Sequence, residues 1–160
     1  MPARPSESVI GLNRIRAAAE ASSALPIQFT LTARADQYMW GRPNLAEVIR
    51  RVQAFQEAGA NAVMVPGLSD PSALRTLCNA VDVPVVVLVG AGPGRPERRA
   101  LAASGVKRIG IGGAMVRVAL SAFVNAAQDL IKGRELDWLA DAIPGRKLTE
   151  MFQRPASGRT

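Results

Sequence analysis

Apolar residues along this chain recur either at every second position or at every third to fourth, and the two patterns take turns. Val9 to Ala24 has helical spacing and stops before Leu25-Pro26, because proline disfavours helix in the residue that precedes it. Ile27, Phe29, Leu31 and Ala33 then alternate with Gln28, Thr30 and Thr32, which predicts a strand over Ile27–Ala33. After a loop from Arg34 to Pro43, Leu45, Val48, Ile49, Val52 and Phe55 form the stripe of an amphipathic helix. Asn44 is placed to cap that helix, Glu47 has capping-box spacing from it, and Gly59 suits its end. Ala62 to Val65 predicts a short buried strand. Ser69-Asp70-Pro71 starts a helix that runs to about Val81. Pro84 to Val89 is almost wholly β-branched, as in a parallel strand covered on both faces. A helix over Pro96–Ser104, a strand over Lys107–Ile111 and a long helix over Ala114–Lys132 follow. The stripe of that last helix is Met115, Val118, Ala119, Ala122, Phe123, Ala126 and Leu130. Short helices around Leu136–Ala142 and Lys147–Phe152 close the pattern.

Four strand–helix units joined by short loops predict parallel strands linked by right-handed crossovers. Four units are half of the eight that close a (β/α)₈ barrel. An open doubly wound sheet has the same local pattern, and periodicity does not choose between them.

Composition narrows the chemistry. The 160 residues are 48% hydrophobic and 21% charged, enough for one domain with a real core. No run is read as approaching the roughly 18 to 20 apolar residues of a membrane span. The polar start, Met1 to Ser8, lacks the apolar stretch of a secretory signal, so a soluble cytoplasmic protein is expected. The single cysteine, Cys78, allows no internal disulfide. It shares a predicted helix with Leu74, Leu77 and Val81, as a buried small hydrophobe would. With no histidine, the commonest general base and zinc ligand is missing, so chemistry must use carboxylates, Arg, Lys, Tyr, backbone amides or a hard cation. The net charge of +7 is scattered, as in Arg50-Arg51, Arg98-Arg99 and Lys107-Arg108, and aromatics are only 4%. Scattered charge and scarce stacking platforms argue against a nucleic-acid partner. An anionic small molecule suits the same charge.

In either parallel architecture the site lies beyond the carboxyl ends of the strands. Arg34 ends the first strand and could grip a carboxylate or phosphonate with two parallel hydrogen bonds. Asp36 could hold Arg34, accept from a substrate or stand behind a cation; alternatively the two form an ion pair that closes the sheet's end. Gly112 and Gly113 open the longest helix, where free amides favour an anion, or where glycine allows close packing. Gly90 to Gly94 lacks a complete dinucleotide fingerprint, and Pro93 removes an amide, so a connecting loop is expected. Tyr38 and Trp40 could cover a pocket or cap the end of the sheet.

Several segments together resemble the isocitrate lyase/phosphoenolpyruvate mutase superfamily. Phe29 to Asp36, FTLTARAD, resembles its Arg-Thr-Asp strand. Leu45 to Met64, LAEVIRRVQAFQEAGANAVM, resembles the helix and strand that follow. Val65 to Asp70, VPGLSD, looks like the version in short members. Gly105 to Met115, GVKRIGIGGAM, is similar to the last barrel strand and its glycine loop. The resemblance covers about Val9 to Leu139. It implies a partial (β/α)₈ TIM barrel, the C-terminal half, with about four βα units, parallel strands and added C-terminal helices. It further implies C–C or P–C bond chemistry on small α-oxo or phosphono carboxylic acids through an enolate stabilised by Mg²⁺, a Lewis-acid role. Arg34 would be the substrate-anion arginine and Asp36 its neighbour.

The sequence also departs from that family. The metal-binding aspartates and the mobile Lys-Cys-Gly loop belong to the other half of such barrels. Ala35 replaces a threonine, Pro66 stands where several lyases have glutamate, and Gly90 stands in place of an asparagine motif. The expected layout is therefore a disordered start over residues 1–8, a half-barrel over 9–142, and a C-terminal helix and tail over 143–160. As an isolated chain it is expected to be inactive, to take a small anionic carboxylate or phosphonate, and to form a homo-oligomer or dock with a missing half-barrel. A non-enzymatic anion-binding or assembly module is the alternative.

Overall fold

The computed structural model describes residues 5–90 and 97–153. It divides into two units, Met1–Ala114 and Met115–Thr160. In the first unit α1 (Pro5–Ser23), α2 (Leu45–Glu57), α3 (Pro71–Asn79) and α4 (Arg98–Ala103) are interleaved with β1 (Thr32–Arg34), β2 (Ala62–Met64), β3 (Val85–Leu88) and β4 (Arg108–Gly110). The strands form one parallel sheet in the order β1-β2-β3-β4. A sequential parallel sheet with helical crossovers is part of a (β/α)₈ barrel, and further C-terminal helices follow it.

The core lies on one side of the sheet. Ala33, Ala35, Val63, Val65, Val85 and Val87 alternate along their strands and form one buried cluster with Val48, Val52 and Phe55 of α2, Leu74 and Leu77 of α3, and Leu101. Leu12 and Ile15 of α1 pack against it. Each valine, leucine or phenylalanine among them, fully buried, contributes about 1.5–3 kcal/mol of hydrophobic stabilisation. Local chemistry agrees with packing. Asn44 Oδ1 accepts from the Glu47 amide at 3.1 Å, and Asp70 caps α3 by accepting from the Ala73 amide at 2.8 Å. Gln56 bridges α2 to the start of β3, its Oε1 accepting from the Asp82 amide at 2.8 Å.

The elements are shorter or shifted relative to their apolar patterns. Ile27 and Phe29 keep strand alternation, yet only Thr32–Arg34 pairs, and Ile27 and Phe29 are 66% and 52% exposed. Alternation marks a face, but a strand also needs a hydrogen-bonding neighbour. Helix α1 begins at Pro5, within the stretch expected to be disordered; residues 1–4 lie outside the described residues. So do residues 91–94 of the glycine loop, Pro96 and the tail from residue 154.

The second unit consists of α5 (Ala114–Ile131), a 3-10 turn (Asp137–Asp141) and α6 (Gly145–Gln153). None of these has a buried residue. Helix α5 is long and apolar enough to cross a membrane by length and composition alone, which corrects the expectation from apolar runs. It nevertheless contains Arg117 and Asp129 within its span.

Candidate functional site

Because the side-chain period of a strand is two, the residues between the core positions share the sheet's other face. Strand pairing aligns Arg34 with Met64, Met64 with Val86, and Val86 with Arg108. None of these belongs to the buried cluster on the helix side. This second face therefore carries an arginine at each edge strand with an apolar floor between them. Leu88, aligned with Gly110, extends that floor.

At the carboxyl end of β1, Arg34 Nε donates to Asp36 Oδ1 at 2.6 Å, and Arg34 Nη2 lies 3.1 Å from the thioether sulfur of Met39. The Arg34 and Asp36 side chains are 45% and 39% exposed. An ion pair this open adds only about 0–1 kcal/mol to stability. Its clearer effect is to fix the guanidinium in one orientation while leaving Nη1 with no partner among the described residues.

The turn that follows is held from below. Gly67, after β2, has φ +86, and a Cβ there would lie 3.3 Å from the Met39 nitrogen and from Tyr38. Glycine thus serves both the left-handed backbone and the close approach. Tyr38 is half-buried, and burial, with a smaller contribution from the Asp70 charge, raises its pKa above the ordinary phenol value. It stays a neutral hydroxyl at physiological pH. Trp40 projects into solvent at 76% exposure and covers nothing in the first unit. Gln37 is only 8% exposed, and neither atom of its amide has a partner among the described residues.

Gly112 and Gly113 follow β4, at the far edge of the sheet from Arg34 and at the same carboxyl end. At Gly112 (φ +47) a Cβ would meet Leu88 Cδ1 at 3.3 Å, whereas Gly113 faces open space. Close packing therefore explains the first glycine but not the second. Cys78 lies beside Gly105, where a Cβ would come within 3.0 Å of its own. Burial raises the Cys78 thiol pKa, with Lys107 opposing. It behaves as a packing residue.

Sequence patterns single out Arg34 and Asp36 but miss three further residues. Met39 sits in a loop, where periodicity says nothing. Gln37 shares strand parity with Ala33 and Ala35, a signal that could have found it. Arg108 passes for one of several scattered charges, although alternation along β4 places it on the face that Arg34 shares.

A fold built on these strand ends has known counterparts. The family model described as phosphoenolpyruvate phosphomutase matches residues 9–131. The chain belongs to that family. Among solved structures, a protein of Burkholderia cenocepacia J2315 described as a lyase/mutase superposes with a TM-score of 0.89 at 38% identity, over 92% of this chain and 53% of that one. A phosphonopyruvate hydrolase in complex with oxalate and Mg²⁺ superposes with a TM-score of 0.67 at 25% identity, over 88% of this chain and 50% of that one. The oxaloacetate decarboxylase of Pseudomonas entomophila (strain L48) is 30% identical over 148 residues, 91% of this chain and 47% of that protein. The chain thus spans about half the length of the curated relatives it matches.

Magnesium needs hard oxygen ligands, usually carboxylates. Among the described residues of this phosphoenolpyruvate phosphomutase family member, no three acidic, His or Cys side chains come together. The carboxylates at the strand ends are engaged elsewhere: Asp36 holds Arg34, and Asp70 accepts from the Ser72 hydroxyl and the Ala73 amide. The described residues do not fit a magnesium site by themselves.

Proposed function

We propose that this chain forms the C-terminal half of a phosphoenolpyruvate phosphomutase-type barrel and binds a small carboxylate or phosphonate at Arg34. The observation that carries the proposal is the geometry of that arginine. It stands at a strand's carboxyl end, is clamped through Nε by Asp36 at 2.6 Å, and has one amino group unpaired among the described residues. Arg108 on the same face adds positive charge. The relatives named for oxaloacetate decarboxylation and the oxalate complex make a small α-oxo acid the leading ligand class.

Bond-breaking chemistry of the family type would require metal-holding carboxylates from outside the described residues. The chain would gain them by docking with a complementary half-barrel; alternatively it assembles with itself. Two features support assembly. Strands β1 and β4 are sheet edges with unpaired backbone groups, which proteins rarely leave open. Met115, Val118, Phe123 and Leu130 of α5 are each more than half exposed. Light scattering tests this: a stable monomer at all concentrations would overturn assembly with itself.

A second reading, a non-enzymatic anion-binding module, is favoured by the lack of a metal cluster among the described residues. Isothermal titration with oxalate and pyruvate, with and without Mg²⁺, separates the two. Metal-dependent binding supports the enzyme reading. Metal-independent binding that disappears in Arg34→Ala supports the binding module. Binding unchanged in Arg34→Ala would sink both.

A further inference from the structure

Arg34 presents two forks to an anion. Nε already meets Asp36 Oδ1 at 2.6 Å, and Nη2 meets Met39 Sδ at 3.1 Å. The end formed by Nη1 and Nη2 remains for a ligand. An anion gripped there shares Nη2 with the thioether, which sets the Met39 side chain at its edge. Thioether sulfur is a weak acceptor, so it yields the guanidinium to a carboxylate at little cost. Its flexible, polarizable chain then offers an apolar wall.

Met39 is set in place and is not a chance surface residue. The Gly67 backbone supports the Tyr38–Met39 segment so closely that an added Cβ would lie 3.3 Å from the Met39 nitrogen. The same apolar character continues onto the sheet, where Met64 is the registered neighbour of Arg34. Met39 is itself 43% exposed, open to a ligand. Beyond Asp36, the neighbours that pairing and hydrogen bonding give Arg34 are therefore both thioethers.

We propose that Met39 is a specificity-determining residue of the Arg34 site and that it selects 2-oxo carboxylates bearing an alkyl chain over shorter ones. The inference rests on the reading of Arg34 as the anion-binding residue, and its test separates the two.

Isothermal titration of the full chain with pyruvate, 2-oxobutyrate and 2-oxopentanoate reads the preference directly. Burial of one methylene predicts affinity rising roughly fourfold at each step of that series. Met39→Leu keeps the apolar wall and should keep the slope. Met39→Gln keeps length but adds a polar head, and should flatten the series to less than about twofold overall. Circular dichroism of both variants confirms that the fold is retained. A flat series in the unmodified chain, or an unchanged slope in Met39→Gln, overturns the role of Met39 and leaves the Arg34 reading standing. Failure of all three acids to bind, or undiminished binding in Arg34→Ala, overturns the Arg34 reading and this inference with it.

Discussion

Helices α2 and α5 carry the same kind of apolar stripe, and their surroundings could hardly differ more. Val48, Val52 and Phe55 of α2 are buried against the sheet. Helix α5 has no fully buried residue, and its Phe123 is 70% exposed where Phe55 of α2 is 8% exposed. A stripe states which side of a helix favours cover; it does not say what supplies the cover. In α2 the cover is the sheet of the same unit. In α5 the stripe has no cover within its own unit, which is the expected condition of a surface completed by another chain or another segment.

The two phenylalanines give the sharpest test. Phe55→Ala should cost about 3–5 kcal/mol in chemical denaturation, from lost transfer energy and the cavity left behind. A loss below about 1 kcal/mol would mean that the α2 face is not a packed core. Next in size is Asn44→Ala at the start of α2, which should cost about 1 kcal/mol through the Glu47 amide left without its cap. Phe123→Ala should change unfolding of the isolated chain by no more than about 0.5 kcal/mol, while weakening any self-association seen by sedimentation. A large loss of folding stability there would show that α5 is already buried in solution and would erase the contrast.

The smallest expected effect concerns pH. Hydrogen bonds from the Ser72 hydroxyl and then the Ala73 amide hold the Asp70 carboxyl below its ordinary pKa. A carboxylate depressed on folding contributes stability that is present above its unfolded value, about 3.9, and is lost as pH falls through the lower folded value. Asp70→Asn keeps a capping side chain but removes the titration. The difference in stability between the two proteins should therefore shift only in that acid window. A shift near neutral pH would contradict the assignment.

Much of this site is legible in the order of residues alone. Arg34 and Asp36 stand out because strand alternation and position at a strand's end are both local properties. Gly112 is ambiguous in the sequence because its two explanations differ only in what lies opposite it, and Leu88, 24 residues earlier, decides that. Met39 gives no local signal at all. Its place beside Arg34 depends on a turn supported by Gly67, a contact between two loops that no periodicity encodes.

By itself the sequence determined the order of strands and helices, the caps at Asn44 and Asp70, and which face of each element is apolar, because propensity and side-chain period act over a few residues. Tertiary structure decided how much of each apolar run became a strand, which side chains surround the guanidinium of Arg34, and which stripes found cover. Those outcomes depend on backbone partners and packing neighbours brought together from distant parts of the chain. In the case of α5, no such neighbours lie within its own unit.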